Sequence, residues 1–163
     1  TLFIDGGSTT WSTIPFLSAL ERLTVITNSI EAARDCAQIS TWTIIVLGGQ
    51  VITKSMSMVG PYVEAQLDNL SIDIAFMGAT GVSLRGSCSS GNLFEANVKQ
   101  RVIQRADKPM LLVDNSKMGI VEPFAFAHFS DFHTVITSPG VDDTVRRMIL
   151  SAGARLEIVT PED

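Results

Sequence analysis

The chain has little of what specialised folds are built from. Its 163 residues include only two cysteines, Cys36 and Cys88, too few for a disulfide framework, so a reducing compartment is expected. Hydrophobic residues reach 45%, yet no apolar run approaches the roughly 20 residues of a membrane-crossing helix, and no secretory leader pattern is present. A cytoplasmic chain with no membrane partner is expected. His128 and His133 stand outside any Cys/His cluster, so neither metal nor cofactor is expected. Positive charge is scarce as well. The 12 Lys and Arg against 17 Asp and Glu leave a net charge of −5, the wrong sign for a nucleic-acid face. Internal repeats, low-complexity tracts and Pro/Gly linkers are missing, and a single domain over residues 1–163 is expected. There is no initiator Met, and Thr1 leads at once into a strand-like run, so the chain is expected to be a domain of a longer protein.

What is present is most telling near the start. The apolar run Leu2-Phe3-Ile4 ends in Asp5, then Gly6-Gly7, then the hydroxyl residues Ser8-Thr9-Thr10, before a helical pattern begins. A strand-to-loop-to-helix junction points backbone N–H groups and hydroxyls at one spot, at the positive end of a helix dipole. Phosphate needs that chemistry, and the glycines allow a sharp turn and close approach. An ordinary helix N-cap draws on the same residue types. No Lys directly follows the loop, which excludes a nucleoside-triphosphate P-loop, and the spacing does not fit a dinucleotide fingerprint.

Short apolar runs predict strands at Leu2–Ile4, Thr24–Ile26, Thr43–Leu47, Ile72–Met77, Met110–Val113, Thr134–Ile136 and Leu156–Val159. Several are continuous rather than alternating, as strands covered on both faces are. Helical patterns lie near residues 10–20, 29–38, 60–70, 93–106 and 141–152. Strand alternating with helix predicts an α/β fold, a layered and mostly parallel sheet flanked by helices in the Rossmann-like manner. Pro15 falls early in the first helix, where a missing N–H matters least, or kinks it if the helix starts further back.

The strand ends share a character. Asp5-Gly6-Gly7, Thr27-Asn28-Ser29, Gly48-Gly49, Gly78-Ala79-Thr80-Gly81 and Asp114-Asn115-Ser116-Lys117 each follow a strand-like run. In a parallel sheet these ends line one rim, and ligands bind in the crevice outside it. Gly and Asn are also normal turn residues. A site at this rim is the better reading.

The helix near 93–106 adds a second clue. At about 100° per residue, Phe94, Val98, Val102 and Ala106 form an apolar stripe with Ile103 beyond it. Asn97, Gln100, Arg101 and Gln104 cluster opposite, while Glu95 and Lys99 fall on the inward side. On an exposed surface such an (i, i+4) pair is worth roughly 0.2–0.5 kcal/mol. Facing inward, charges are costly unless paired or put to use, and a pocket-lining pair is expected.

These residues carry a resemblance. Phe3-Ile4-Asp5-Gly6-Gly7-Ser8-Thr9-Thr10, Val25-Ile26-Thr27-Asn28-Ser29, Leu47-Gly48-Gly49, Ser57-Met58-Val59-Gly60-Pro61, Asp73-Ile74-Ala75-Phe76-Met77-Gly78-Ala79, Phe94-Glu95-Ala96-Asn97-Val98-Lys99 and Val113-Asp114-Asn115-Ser116-Lys117 occur in an order that resembles the effector domain of DeoR-type bacterial transcriptional repressors. The resemblance runs from about residue 2 to residue 140. It implies a domain that senses a phosphorylated sugar or related metabolite for a repressor of carbohydrate metabolism. Operator DNA would be bound by an N-terminal winged helix-turn-helix outside this chain, and a homo-oligomer is implied. On this reading the loop Gly6, Gly7, Ser8, Thr9 and Thr10 holds the phosphate. Asp5, Asn28, Gly48, Gly78, Thr80, Glu95, Lys99 and Lys117 complete the effector site.

The resemblance also implies a fold similar to ribose-5-phosphate isomerase and the CoA transferases, which brings an enzyme alternative. Glu95 matches the isomerase's catalytic glutamate and Lys117 its lysine after Asp-x-Ser. Moving a proton between sugar carbons needs such a base together with stabilisation of the enediolate. Where the isomerase carries Asp and Glu after Gly-Ala, this chain has Thr80 and Gly81, and Ser87-Cys88-Ser89-Ser90-Gly91 replaces its Lys-Gly-Gly-Gly. Binding without turnover is therefore expected. Of the remaining candidates, Cys88 reads as a small loop residue, Cys36 as packing and Lys54 as a solvated surface lysine. Trp11 either lines the pocket or packs beneath it.

Overall fold

The computed structural model describes residues 1–160. Its strands are β1 (Leu2–Ile4), β2 (Thr24–Thr27), β3 (Thr43–Val46), β4 (Gln50–Ile52), β5 (Ser57–Val59), β6 (Ile72–Met77), β7 (Gly81–Val82), β8 (Ser87–Ser90), β9 (Ala106–Leu112), β10 (Phe124–His128), β11 (Thr134–Thr137) and β12 (Arg155–Ile158). The helices are α1 (Ser8–Trp11), α2 (Ile14–Leu17), α3 (Ile30–Cys36), α4 (Pro61–Leu67), α5 (Leu93–Arg105) and α6 (Asp143–Ser151).

A seven-stranded sheet in the order β12-β11-β9-β6-β1-β2-β3 forms the frame, and every neighbouring pair in it is parallel. The α/β architecture expected from the strand runs is the one observed. Alternate residues of β1 feed opposite faces, as the period of a strand requires. Phe3 joins one core with Ile26, Met77, Leu111 and Val102, while Leu2 and Ile4 join the other with Ile14, Val25, Cys36 and Trp42. The chain runs outward from β1 through β2 to β3, then returns to lay β6 on the other side of β1. The strand order reverses at the β1–β6 pair, and the crevice at such a reversal is where α/β sheets hold ligands.

Two smaller antiparallel sheets are added to this frame: β10-β8-β7, and the hairpin β4-β5. Neither was legible as strand. The segment 86–91, which reads as a loop, contains β8, whose Cys88, Ser89 and Ser90 are buried despite their weak strand propensity.

The helix expected over residues 10–20 is two short helices, α1 and α2. In one continuous helix the Pro15 ring would meet the carbonyl of Trp11, so the chain breaks and restarts with Pro15 in the first turn of α2. Around the break, Ser12 and Thr13 hydroxyls donate to the carbonyls of Thr9 and Thr10 at 2.8 and 2.6 Å.

Helix α5 starts at Asn92, whose Oδ1 accepts from the N–H of Phe94 and Glu95 at 2.9 and 3.2 Å. Its buried face is Ala96, Val98, Lys99 and Val102. The expected apolar stripe holds only in its middle. Phe94 is 47% exposed in the first turn, and Ala106 already opens β9.

Candidate functional site

A cavity of about 200 Å³ opens at the β1–β6 reversal, lined by Gly6, Gly7, Ser8, Thr9, Thr10, Ser55, Gly78, Ala79, Thr80, Glu95, Lys99 and Lys117. The loops after β1 and β6 form its floor. They are fastened by Asp5, which is 2% exposed and lies behind the lining. Its Oδ2 accepts the Gly78 N–H at 2.9 Å and an ion-paired hydrogen bond from Lys99 Nζ. Lys99, 7% exposed, also donates to the Gly78 carbonyl at 3.1 Å, and its ammonium sits 5.7 Å from the Phe126 ring centroid. Each ion of this buried pair is also hydrogen-bonded to the Gly78 backbone, Asp5 to its N–H and Lys99 to its carbonyl, which offsets part of the cost of burying the charges.

The loop after Asp5 is equally constrained. Thr10, fully buried, turns its hydroxyl onto the carbonyls of Asp5 and Gly7 at 2.7 and 2.8 Å, so that hydroxyl shapes the loop instead of facing a ligand. Gly6 is required by crowding, since an added Cβ would stand 2.8 Å from the Ser57 Cβ. Ser8, Thr9 and Thr10 begin α1, where backbone N–H groups have no helical carbonyl to meet. Among the described residues those three amides and the hydroxyls of Ser8 and Thr9 have no protein partner, and Gly7, the N-cap, offers no side chain to cap them.

Lys117 lines the same cavity from a 3₁₀ turn, Asn115–Lys117. Asp114 caps that turn through the Ser116 N–H at 2.9 Å, and the Ser116 hydroxyl bonded to Asp114 holds this carboxyl below its usual range. Among the described residues no carboxylate oxygen is within 4.0 Å of the Lys117 ammonium. The remaining wall is Glu95. Its Oε1 accepts from Ser55 Oγ at 2.5 Å and Ser57 Oγ at 3.3 Å, and its Oε2 from Ser90 Oγ at 3.0 Å.

Several residues thus sit differently from expectation. Glu95 and Lys99 point inward but do not pair with each other. Lys99 crosses to Asp5, and Glu95 is taken by serines on β5, β8 and the β4–β5 turn. Asn28, 3% exposed, is outside the cavity and braces the hairpin: its Nδ2 donates to the Met58 carbonyl at 3.0 Å, and its own carbonyl accepts the Met58 N–H at 2.7 Å. Gly48 is also elsewhere. It follows β3, two strands from β1, and exchanges hydrogen bonds with the Gln66 amide in a separate hollow of about 570 Å³. Trp11 faces a third hollow, about 520 Å³ and mostly apolar, where its Nε1 donates to Asp35 at 2.8 Å. These hollows are larger, but neither gathers opposed charges with free donors.

Ser55, Ser57 and Ser90 are the residues that sequence reasoning missed. The segment from Ser57 to Pro61 was recognisable, but nothing local ties a serine to a carboxylate 38 positions away. Cys88 and Cys36 are buried, which pushes their thiols up to about 12 and about 11, so neither is a nucleophile. His128 Nε2 meets the Arg85 carbonyl at 2.8 Å, and His133 Nδ1 the Thr134 hydroxyl at 2.8 Å, both structural uses.

A parallel α/β sheet with a polar cavity at its reversal point is a fold class that binds small ligands. A family profile described as the DeoR C terminal sensor domain matches residues 1–139. The chain belongs to that family, the sensor domains of DeoR-type transcriptional regulators. The HTH-type transcriptional regulator IolR of Bacillus subtilis is 33% identical over 142 residues, which is 87% of this chain and 57% of that protein. GolR of Listeria innocua, also named an HTH-type transcriptional regulator, is 25% identical over 97% of this chain and 62% of its own length. GlpR of Haloferax volcanii, named likewise, is 26% identical over 93% and 59%. The chain therefore spans a little over half the length of these relatives. A solved structure of ribose 5 phosphate isomerase A from Neisseria gonorrhoeae aligns with 74% of this chain and 45% of that one, at 16% identity and a TM-score of 0.49, too loose a likeness to bear on function. Among the described residues no helix is long and apolar enough to cross a membrane.

Proposed function

We propose that this single domain senses a phosphorylated sugar or a closely related phosphorylated metabolite, and binds it without turnover. The observation that carries the reading is that the amides of Ser8, Thr9 and Thr10 and the hydroxyls of Ser8 and Thr9, unengaged among the described residues, line one small cavity together with Lys117. Donors without acceptors and a lysine that makes no salt bridge among the described residues suit an anion with several oxygens. Glu95 and Thr80 supply the end that meets sugar hydroxyls. Sensing is favoured over isomerisation because Glu95 is occupied by hydroxyl donors and Lys99 by Asp5, while Thr80 and Gly81 offer no acid to relay a proton. Operator DNA would be met by a helix-turn-helix region outside this chain, as the names of the relatives suggest, with the assembled regulator acting as a cytoplasmic homo-oligomer.

A thermal-shift panel of sugar phosphates and their free sugars tests this. Ligand at one hundred times Kd stabilises a folded state by about 2.7 kcal/mol, or roughly 5–10 °C in Tm for a domain of this size. At least one phosphate should reach that shift while its free sugar does not, and it should be recovered chemically unchanged. Free sugars equalling their phosphates would remove the anion site. Exchange of carbon-bound hydrogen in heavy water that disappears in Glu95→Gln would favour the isomerase alternative.

A further inference from the structure

The three serines on Glu95 are not equivalent. Ser57 and Ser90 are buried on strands β5 and β8, within paired sheets. Ser55 is on the turn joining β4 to β5, beside exposed Thr53, Lys54 and Met56. Met56 has φ of +48°, a left-handed conformation that a residue with a Cβ adopts reluctantly. Its carbonyl is fixed by the Ile30 N–H at 3.0 Å, so the anchored chain ends there and the turn tip lies beyond it. Among the described residues, the tip's side-chain hydrogen bonds into the cavity are those of the Ser55 hydroxyl, to Glu95 and to Ser57 Oγ.

We infer that Ser55 is an internal stand-in for a ligand hydroxyl. A polyhydroxylated phosphate ester places a hydroxyl on Glu95 Oε1, expels Ser55, and releases the β4–β5 turn, which thereby reports occupancy on the protein surface. This rests on the sugar-phosphate reading for the ligand, but not for the apo contact itself. Its consequence runs against ordinary intuition about pocket residues. Removing Ser55 removes a competitor, so Ser55→Ala binds more tightly; the loss of a charge-assisted hydrogen bond from the competing state corresponds to about tenfold in affinity.

The test is backbone order at residues 53–56 by nitrogen-15 relaxation, with titrations of glycerol 3-phosphate, ribose 5-phosphate, fructose 6-phosphate, ribitol and inorganic phosphate. Ligand-free wild type should be ordered at the tip. Ligand-free Ser55→Ala should fall toward the flexible range, below about 0.6 in the order parameter. A hydroxylated phosphate bound to wild type should loosen the tip in the same way, whereas inorganic phosphate alone should leave it ordered. An unchanged tip in ligand-free Ser55→Ala, or weaker binding of the phosphates to Ser55→Ala than to wild type, overturns the stand-in. If no phosphate binds either protein while the ligand-free Ser55→Ala tip loosens and ribitol at high concentration loosens wild type, the stand-in holds and the sugar-phosphate reading fails.

Discussion

Lys99 reaches Asp5 from 94 residues away and ties the β1 and β6 loops into one floor. Its effect is structural before it is chemical. Lys99→Met would leave Asp5 buried without a counter-charge, which costs about 3–5 kcal/mol in pairs of this kind. Asp5→Asn combined with Lys99→Met should recover part of that loss, since no lone charge is then left in the interior. Urea unfolding of wild type, the single and the double variant checks it; equal stability of wild type and Lys99→Met would mean the pair does not hold the loops. The inward aim of Glu95 and Lys99 was legible from helical periodicity. Their partners were not. An i, i+4 spacing suggests a mutual pair, whereas the partners actually taken depend on strand order, which brings Asp5 and the serines to opposite ends of one helix turn.

At the scale of elements, α5 presents both groups, and Asn92 sets where that helix begins. Asn92→Ala deletes an acceptor for two amides, one of them that of Glu95, and should cost about 1 kcal/mol of stability. Denaturant titration should give a lower midpoint with an unchanged slope, because the transition exposes the same surface. A midpoint equal to that of wild type would show that the helix start is fixed by packing alone. Long apolar runs such as Ile72–Met77 announced their strands, and Gly and Asn clusters announced the rim. The short elements did not. Gln50–Ile52, Ser57–Val59 and Ser87–Ser90 become strands only because a partner strand lies alongside, and that partner is a tertiary fact. The same limit hid Ser55, which matters through a turn that no periodicity marks.

For the whole molecule, topology does the positioning. The chain reverses its strand order at β1 and β6, so the donor loop of Ser8–Thr10 and the Gly78–Thr80 loop line one cavity, together with Lys117 and Glu95. Asn28 and Gly48 belong to the same rim yet lie toward the β3 edge, which is why a shared rim in sequence did not make a shared site. In the proposed complex a phosphorylated sugar sits in this cavity with its phosphate on the Ser8–Thr10 amides. Amide chemical shifts followed through a titration with the phosphate ester that stabilises the fold test it most directly. The Ser8, Thr9 and Thr10 amides should move most, saturate with a single Kd, and stay in place when the free sugar is added instead. Saturation that moves amides around Trp11 and Ile39, or around Gly48 and Gln66, while those of Ser8–Thr10 stay still, would contradict it.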